Sequence, residues 1–106
     1  MISYEIIMTP DSENDLIELS DYISDVLLAP KTAISYLREI RNEIKKLENF
    51  PKKYAILQEE PFYSLKIRRF IVNNFFVYYR IDEENRIVYI LNIIYYKREQ
   101  LKAIIL

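Results

Sequence analysis

Phe75-Phe76-Val77-Tyr78-Tyr79-Arg80-Ile81-Asp82-Glu83-Glu84-Asn85-Arg86-Ile87-Val88-Tyr89-Ile90-Leu91-Asn92-Ile93-Ile94-Tyr95 is the stretch from which the fold is read. Its first part, Phe75 to Ile81, is aromatic and β-branched, the composition that suits a pleated, half-buried surface. Side chains alternate across a strand, so Phe75, Val77, Tyr79 and Ile81 share one face and Phe76, Tyr78 and Arg80 the other. Asp82-Glu83-Glu84-Asn85 is a polar turn, with Asn85 the residue best suited to a left-handed conformation in a chain that has no glycine. The return segment, Arg86 to Tyr95, is apolar on both faces and is expected to be central in its sheet. The whole is an antiparallel hairpin.

Upstream, Leu65-Lys66-Ile67-Arg68 alternates apolar with basic and predicts a further strand, with Leu65 and Ile67 on one face and Lys66 and Arg68 on the other. Arg69-Phe70 spoils the alternation, so this strand should end or bulge there. Pro51 to Tyr63 holds two prolines, two lysines and Glu59-Glu60, with Tyr54, Ile56 and Leu57 able to tuck against a core, and reads as an ordered loop.

The N-terminal half has a different period. Ile2 to Met8 is β-prone and runs into Thr9-Pro10, a helix cap followed by a proline that loses no needed donor in the first turn. Asp11, Glu13 and Asp15 favour a helix start, and Leu16, Leu19, Ile23, Val26 and Leu27 recur at helical spacing to about Leu28. After Ala29-Pro30, the residues Ala33, Leu37, Ile40, Ile44 and Leu47 form the apolar seam of a second, antiparallel helix. Phe50-Pro51 stops it, because the residue before proline is pushed out of the helical region. Arg98 to Leu106 reads as a short terminal helix or a partly frayed tail. The order is β-α-α-β-β-β-α, an α+β domain whose helix hairpin covers one face of a mainly antiparallel sheet.

One hundred and six residues, 51% of them apolar, with ten Tyr and five Phe, supply one core and one domain, 1–106. The absence of cysteine excludes disulfides, thiol nucleophiles and thiolate metal sites. Without histidine there is no Ser-His-Asp or Cys-His arrangement and no ready base near neutral pH. Without glycine there is neither a Walker loop nor a dinucleotide fingerprint. Catalysis would have to rest on Lys, Arg, Tyr or carboxylates. Asp11-Ser12-Glu13 and Asp82-Glu83-Glu84 read as helix-terminus and turn residues, so no metal and no cofactor is expected. Met1 to Pro10 lacks a basic leader, and the longest apolar run, Ile87 to Tyr96, is about half of what a membrane-spanning helix requires. A cytoplasmic protein is expected.

The net charge of −1 conceals an asymmetry. Residues 1–50 carry five basic and ten acidic groups, and residues 51–106 carry ten basic and six acidic. Between Ser64 and Ile81 the charged residues are Lys66, Arg68, Arg69 and Arg80, with no acid among them, which points to an anionic partner for this half. Tyr78, Tyr79, Tyr89, Tyr95 and Tyr96 could stack on bases beside these cations, although core packing with hydroxyls at the rim is the favoured reading.

The order and spacing of several segments resemble the RelE/ParE toxin superfamily, the plasmid-stabilisation branch named for ParE in particular. The similar segments are the strand ending in Thr9-Pro10, the helix with Asp15-Leu16-Ile17 and Asp21-Tyr22-Ile23, the stretch Ala33 to Leu47 with Pro51, the hairpin Phe76-Val77-Tyr78-Tyr79-Arg80-Ile81-Asp82, and the closing Ile93-Ile94-Tyr95-Tyr96-Lys97-Arg98-Glu99. The resemblance implies the toxin of a type II toxin–antitoxin pair, neutralised by a cognate antitoxin. It implies one of two targets: DNA gyrase, inhibited without a known catalytic site, or ribosome-bound messenger RNA, cut by a Lys, Arg and Tyr cluster. Lys66 and Arg98 sit where the ribonuclease branch places basic residues, and Arg68 lies beside Lys66 on the same predicted strand face. Phe75 stands where that branch usually has a catalytic Arg, Ile104 near its terminal Tyr, and Tyr95 and Tyr96 where many relatives have His or Gly. The departures tilt the expectation towards a gyrase inhibitor. The alternatives are a ribonuclease with Lys66, Arg68 and Arg98 as catalytic residues, or a non-toxic relic that keeps antitoxin binding. The expected partner-binding residues are Lys66, Arg68, Arg69, Arg80, Tyr95, Tyr96, Lys97 and Arg98.

Overall fold

Thr9 is where the chain turns from strand to helix. It is extended (φ −69°, ψ 158°), its Oγ1 accepts a hydrogen bond from the Ser12 N–H at 3.2 Å, and its hydroxyl donates to the Ile90 carbonyl at 2.8 Å. One side chain therefore caps the helix and ties it to the sheet. The computed structural model describes residues 2–95, so the expected terminal helix Arg98 to Leu106 lies outside the described residues.

β1 (Glu5–Met8) leads through Thr9 into α1 (Pro10–Asp21), which continues as a single π-helical turn, Tyr22–Val26. The Leu27 N–H bonds back to the Tyr22 carbonyl, and the helix ends where Leu28 takes a φ of 52°. This is the boundary expected from the sequence. α2 (Pro30–Lys45) runs into 3-10 turns at Lys46–Glu48 and Pro51–Lys53. β2 (Arg68–Val72), β3 (Phe75–Asp82) and β4 (Ile87–Tyr95) complete a four-stranded sheet of order β1-β4-β3-β2. β1 lies parallel to β4 and the other pairs are antiparallel. β4 is therefore central, as its two apolar faces require.

The helices cover one face of the sheet. Leu16, Leu19 and Ile23 from the first helix and Ala33, Ile40, Ile44 and Leu47 from the second pack on Phe75, Val77, Tyr79, Val88, Ile90, Ile93 and Tyr95. Complete burial of each large side chain stabilises by about 1.5–3 kcal/mol before entropy is counted. The buried residues of β4 change parity, from Val88 and Ile90 to Ile93 and Tyr95. The cause is a bulge: Tyr78 pairs with Asn92 but Tyr79 with Ile90, leaving Leu91 as an extra residue in β4. Asp15 accommodates it. Its carboxylate accepts from the Ile93 N–H at 2.9 Å and from Asn92 Nδ2 at 3.3 Å.

Several local expectations are corrected. The strand predicted over Leu65 to Arg68 begins only at Arg68, and Arg69-Phe70 continues it rather than ending it. Phe70 is buried opposite Val77, and that non-local partner outweighs the short alternation upstream. Leu65 and Lys66 instead close a helical turn: the Ile67 N–H reaches the Phe62 carbonyl, the Lys66 N–H reaches that of Tyr63, and Lys66 takes a φ of 57°. This is a Schellman ending with lysine where glycine is usual. Lys66 and Arg68 therefore do not share a strand face.

Nor does Asn85 take the left-handed conformation in the β3–β4 turn. Its backbone N–H and side-chain amide both bond to the Asp82 carboxylate, at 3.2 and 2.9 Å, and Arg86 takes φ 55° instead. The left-handed asparagines are Asn73 (46°) and Asn74 (68°), which form a two-residue turn between β2 and β3. No helix among the described residues is long and apolar enough to cross a membrane.

Candidate functional site

Pairing across the sheet decides which way each arginine points. Arg69 is opposite Tyr78 and Arg80 opposite Tyr89, so these four side chains lie on the face away from the helices. The Arg69 guanidinium stands 4.5 Å from the Phe76 ring centroid and 6.0 Å from that of Tyr78. Arg80 stands 4.8 Å from that of Tyr89. A cation over a ring face is held in orientation without using its N–H donors, which stay available to a carboxylate or phosphate. Neither guanidinium forms an ion pair among the described residues.

Beside them, Phe62 stacks on Tyr78 with centroids 5.9 Å apart. Phe62, Ile67, Tyr78, Leu91, Asn92 and Ile94 line a crevice of about 170 Å³. The helical turn that ends at Lys66 brings Phe62 and Ile67 there, since the Schellman closure sets these two residues against each other. The open face thus combines two oriented cations with an apolar crevice, a combination suited to an acidic, amphipathic segment.

The remaining expected site residues are placed elsewhere. Arg68 pairs with Tyr79 and points to the helix side, where its Nη1 donates to the Tyr54 carbonyl at 2.6 Å. Lys66 is exposed in its turn. Tyr95 is buried beneath the helices, 5.0 Å from Phe75 and 6.1 Å from Tyr22 between centroids. Tyr96, Lys97 and Arg98 lie outside the described residues, as does Ile104. The structure therefore brings Arg69 and Arg80 to one face and separates Arg68 from them. Of the tyrosines considered for stacking, Tyr78 and Tyr89 line the open face, whereas Tyr79 is fully buried with its hydroxyl donating to the Pro51 carbonyl at 2.7 Å.

Proton transfer by a tyrosine near neutral pH needs a lowered pKa. Burial pushes the Tyr79 phenol up to about 12, and the hydrogen bond that Tyr4 donates to Glu83 raises the Tyr4 phenol too. Both move away from a base. Phe62 and Ile67 were not legible as site residues, because the glycine that normally marks a Schellman ending is replaced by Lys66.

The sequence profile of the family described as "ParE toxin of type II toxin-antitoxin system, parDE" matches residues 6–100. Among solved structures, the fold is similar to the chromosomal ParDE system from P. aeruginosa, with a TM-score of 0.71 and 20% identity over 90% of this chain and 98% of that one. It is similar to the RelBE2 toxin–antitoxin complex from Mycobacterium tuberculosis, with a TM-score of 0.58 and 18% identity over 89% and 99% of the respective chains. It is similar to a mutant of E. coli toxin RelE in the free state, with a TM-score of 0.62 and 8% identity over 95% and 92%. No curated protein matches the sequence.

Proposed function

The chain belongs to the ParE toxin family of type II toxin–antitoxin systems, and from that premise we propose that it is a non-enzymatic inhibitor of DNA gyrase, neutralised by an antitoxin laid across the open face of its sheet. The observation that carries this reading is the dispersal of the cations that RNA cleavage would have to bring together. Metal-independent cleavage needs a base at the 2′-hydroxyl and cations converging on one phosphate. Among the described residues, Lys66 sits in an exposed turn, Arg68 is bonded to a backbone carbonyl on the helix side, and Arg69 and Arg80 are stacked on rings on the opposite face. Phe75 is fully buried and brings no charge. An inhibitor that acts by occupying a protein surface needs none of this convergence.

The antitoxin reading rests on Arg69, Arg80 and the crevice beside them. An acidic helix or extended segment would set apolar side chains against Phe62, Ile67 and Ile94 and carboxylates against the two guanidinium groups. The decisive experiment compares two assays of the purified chain. In the first, gyrase supercoiling of a relaxed plasmid is inhibited, and the inhibition is relieved by the antitoxin. In the second, translated messenger RNA stays intact. Cleaved messenger RNA with unaffected supercoiling would overturn the proposal.

A further inference from the structure

A cleft of about 620 Å³, lined by Tyr4, Asn49, Phe50, Pro51, Lys52 and Lys53, opens at the end of the sheet where β1 begins and β3 turns into β4. Its volume lies within the roughly 300–1,000 Å³ typical of ligand-binding clefts. The floor is apolar. Pro51 is buried, Tyr4 is half-buried, and Phe50 is 62% exposed although it is a large aromatic side chain.

The rim is cationic, with its charges only partly answered. Lys52 Nζ lies 3.2 Å from Glu83 Oε1, and the Tyr4 hydroxyl donates to Glu83 Oε2 at 2.8 Å, so this carboxylate already serves both. These two bonds hold the Glu83 carboxyl below its ordinary range, ionised. The Lys53 ammonium stands 5.3 Å from the Tyr54 ring centroid and has no carboxylate partner among the described residues. Arg68 adds its charge behind the rim, where it acts on the same Glu83. Of the two lysines that line the cleft, only Lys52 has a carboxylate partner among the described residues.

We propose that this cleft docks a short acidic segment of a protein partner, which seats one large apolar side chain on Tyr4, Phe50 and Pro51 and sets flanking carboxylates on Lys52 and Lys53. Charge complementarity selects the acidic partner: Lys53 is unanswered, and Lys52 can exchange a solvated contact with Glu83 for a second carboxylate. The apolar floor and the Glu83 carboxylate bonded to Tyr4 and Lys52 disfavour a phosphate backbone, which needs a continuous basic track. Exposed aromatic side chains are the usual anchors of interface centres, with charged groups at the rim. Arg69 and Arg80 take no part in this site, and the inference does not depend on the target of the toxin.

Fluorescence anisotropy of the full chain with a labelled peptide, one Phe flanked on each side by Glu residues, tests the assignment. Saturable binding is expected, weakened by about fivefold or more by Lys53→Glu, by Phe50→Ala, and by exchange of the peptide's Phe for Ala or of its Glu residues for Lys. Lys31→Glu, an exposed charge at the start of α2, should leave it unchanged. Phe50 and Lys53 are exposed, so both variants are expected to fold, and melting curves check this. Absence of saturable binding, equal affinity for the Lys-flanked peptide, or insensitivity to both cleft variants would overturn the proposal. So would a concentration-dependent dimer abolished by Phe50→Ala, which would assign the cleft to a second copy of the chain.

Discussion

Tyr79 buries a phenol in the middle of the core, and it does so with a partner. Its hydroxyl reaches the Pro51 carbonyl across 28 residues of sequence, and its ring meets Phe70 edge-on with centroids 6.1 Å apart. Burial raises its pKa from 10.0 to about 12. A phenol whose folded pKa lies above its unfolded value contributes stability that is fully present below pH 10 and is lost as pH rises through about 12. Tyr79→Phe should therefore cost about 1 kcal/mol at neutral pH, by leaving the Pro51 carbonyl without its donor. It should also make the decline of melting temperature between pH 10 and pH 12 shallower than in the parent chain. Identical slopes for the two proteins would show that this phenol does not titrate as described. Arg69 and Arg80 could be named from the sequence as a basic pair, but their stacking partners could not, because Phe76, Tyr78 and Tyr89 are three of many aromatic residues in reach.

Among the elements, the turns show how a chain without glycine manages left-handed backbone. Leu28, Lys66, Asn73, Asn74 and Arg86 all adopt positive φ. Only the two asparagines are residue types that tolerate it readily, and the others hold the conformation at a cost of about 1–2 kcal/mol each. Lys66 is the informative case, since a ribonuclease mechanism would use its ammonium whereas the structure uses its backbone. Lys66→Gly should stabilise the fold by about 1 kcal/mol, which raises the melting temperature by roughly 4–8 °C for a domain of this size. Growth inhibition by the toxin should persist. Loss of toxicity in a correctly folded, stabilised variant would give Lys66 a chemical role and defeat the non-enzymatic reading. The same segment shows why β2 begins later than its alternation suggests: four alternating residues fit one helical turn as well as a strand, and the buried contact of Phe70 decides between them.

For the whole molecule, the charge asymmetry of the sequence becomes an asymmetry of layers. The acids of the first half cluster on the helix layer, Asp11, Glu13, Glu18 and Asp21 on α1, while Arg69 and Arg80 stand on the open face of the sheet. An acidic antitoxin is attracted to one side and repelled from the other. Arg69→Glu together with Arg80→Glu should weaken the complex by about tenfold or more, and added salt should weaken the parent complex but not the doubly reversed one. Titration calorimetry at two ionic strengths checks both. A complex indifferent to salt and to charge reversal would remove the open face from antitoxin recognition.

The sequence by itself determined the two amphipathic helices, their boundary near Leu28, the Phe75 to Tyr95 hairpin and the central position of β4. The helices and the hairpin follow from periods of 3.6 and 2, which short-range backbone geometry imposes, and the place of β4 from its being apolar on both faces. Tertiary structure alone decided where β2 begins, the bulge at Leu91, which face of the sheet Arg68 and Arg69 each take, and the cleft at Phe50. Those depend on groups far apart in the chain, such as Asp15 at the Ile93 N–H, Tyr54 at Arg68 and Tyr4 at Glu83, and a local pattern holds no record of such partners.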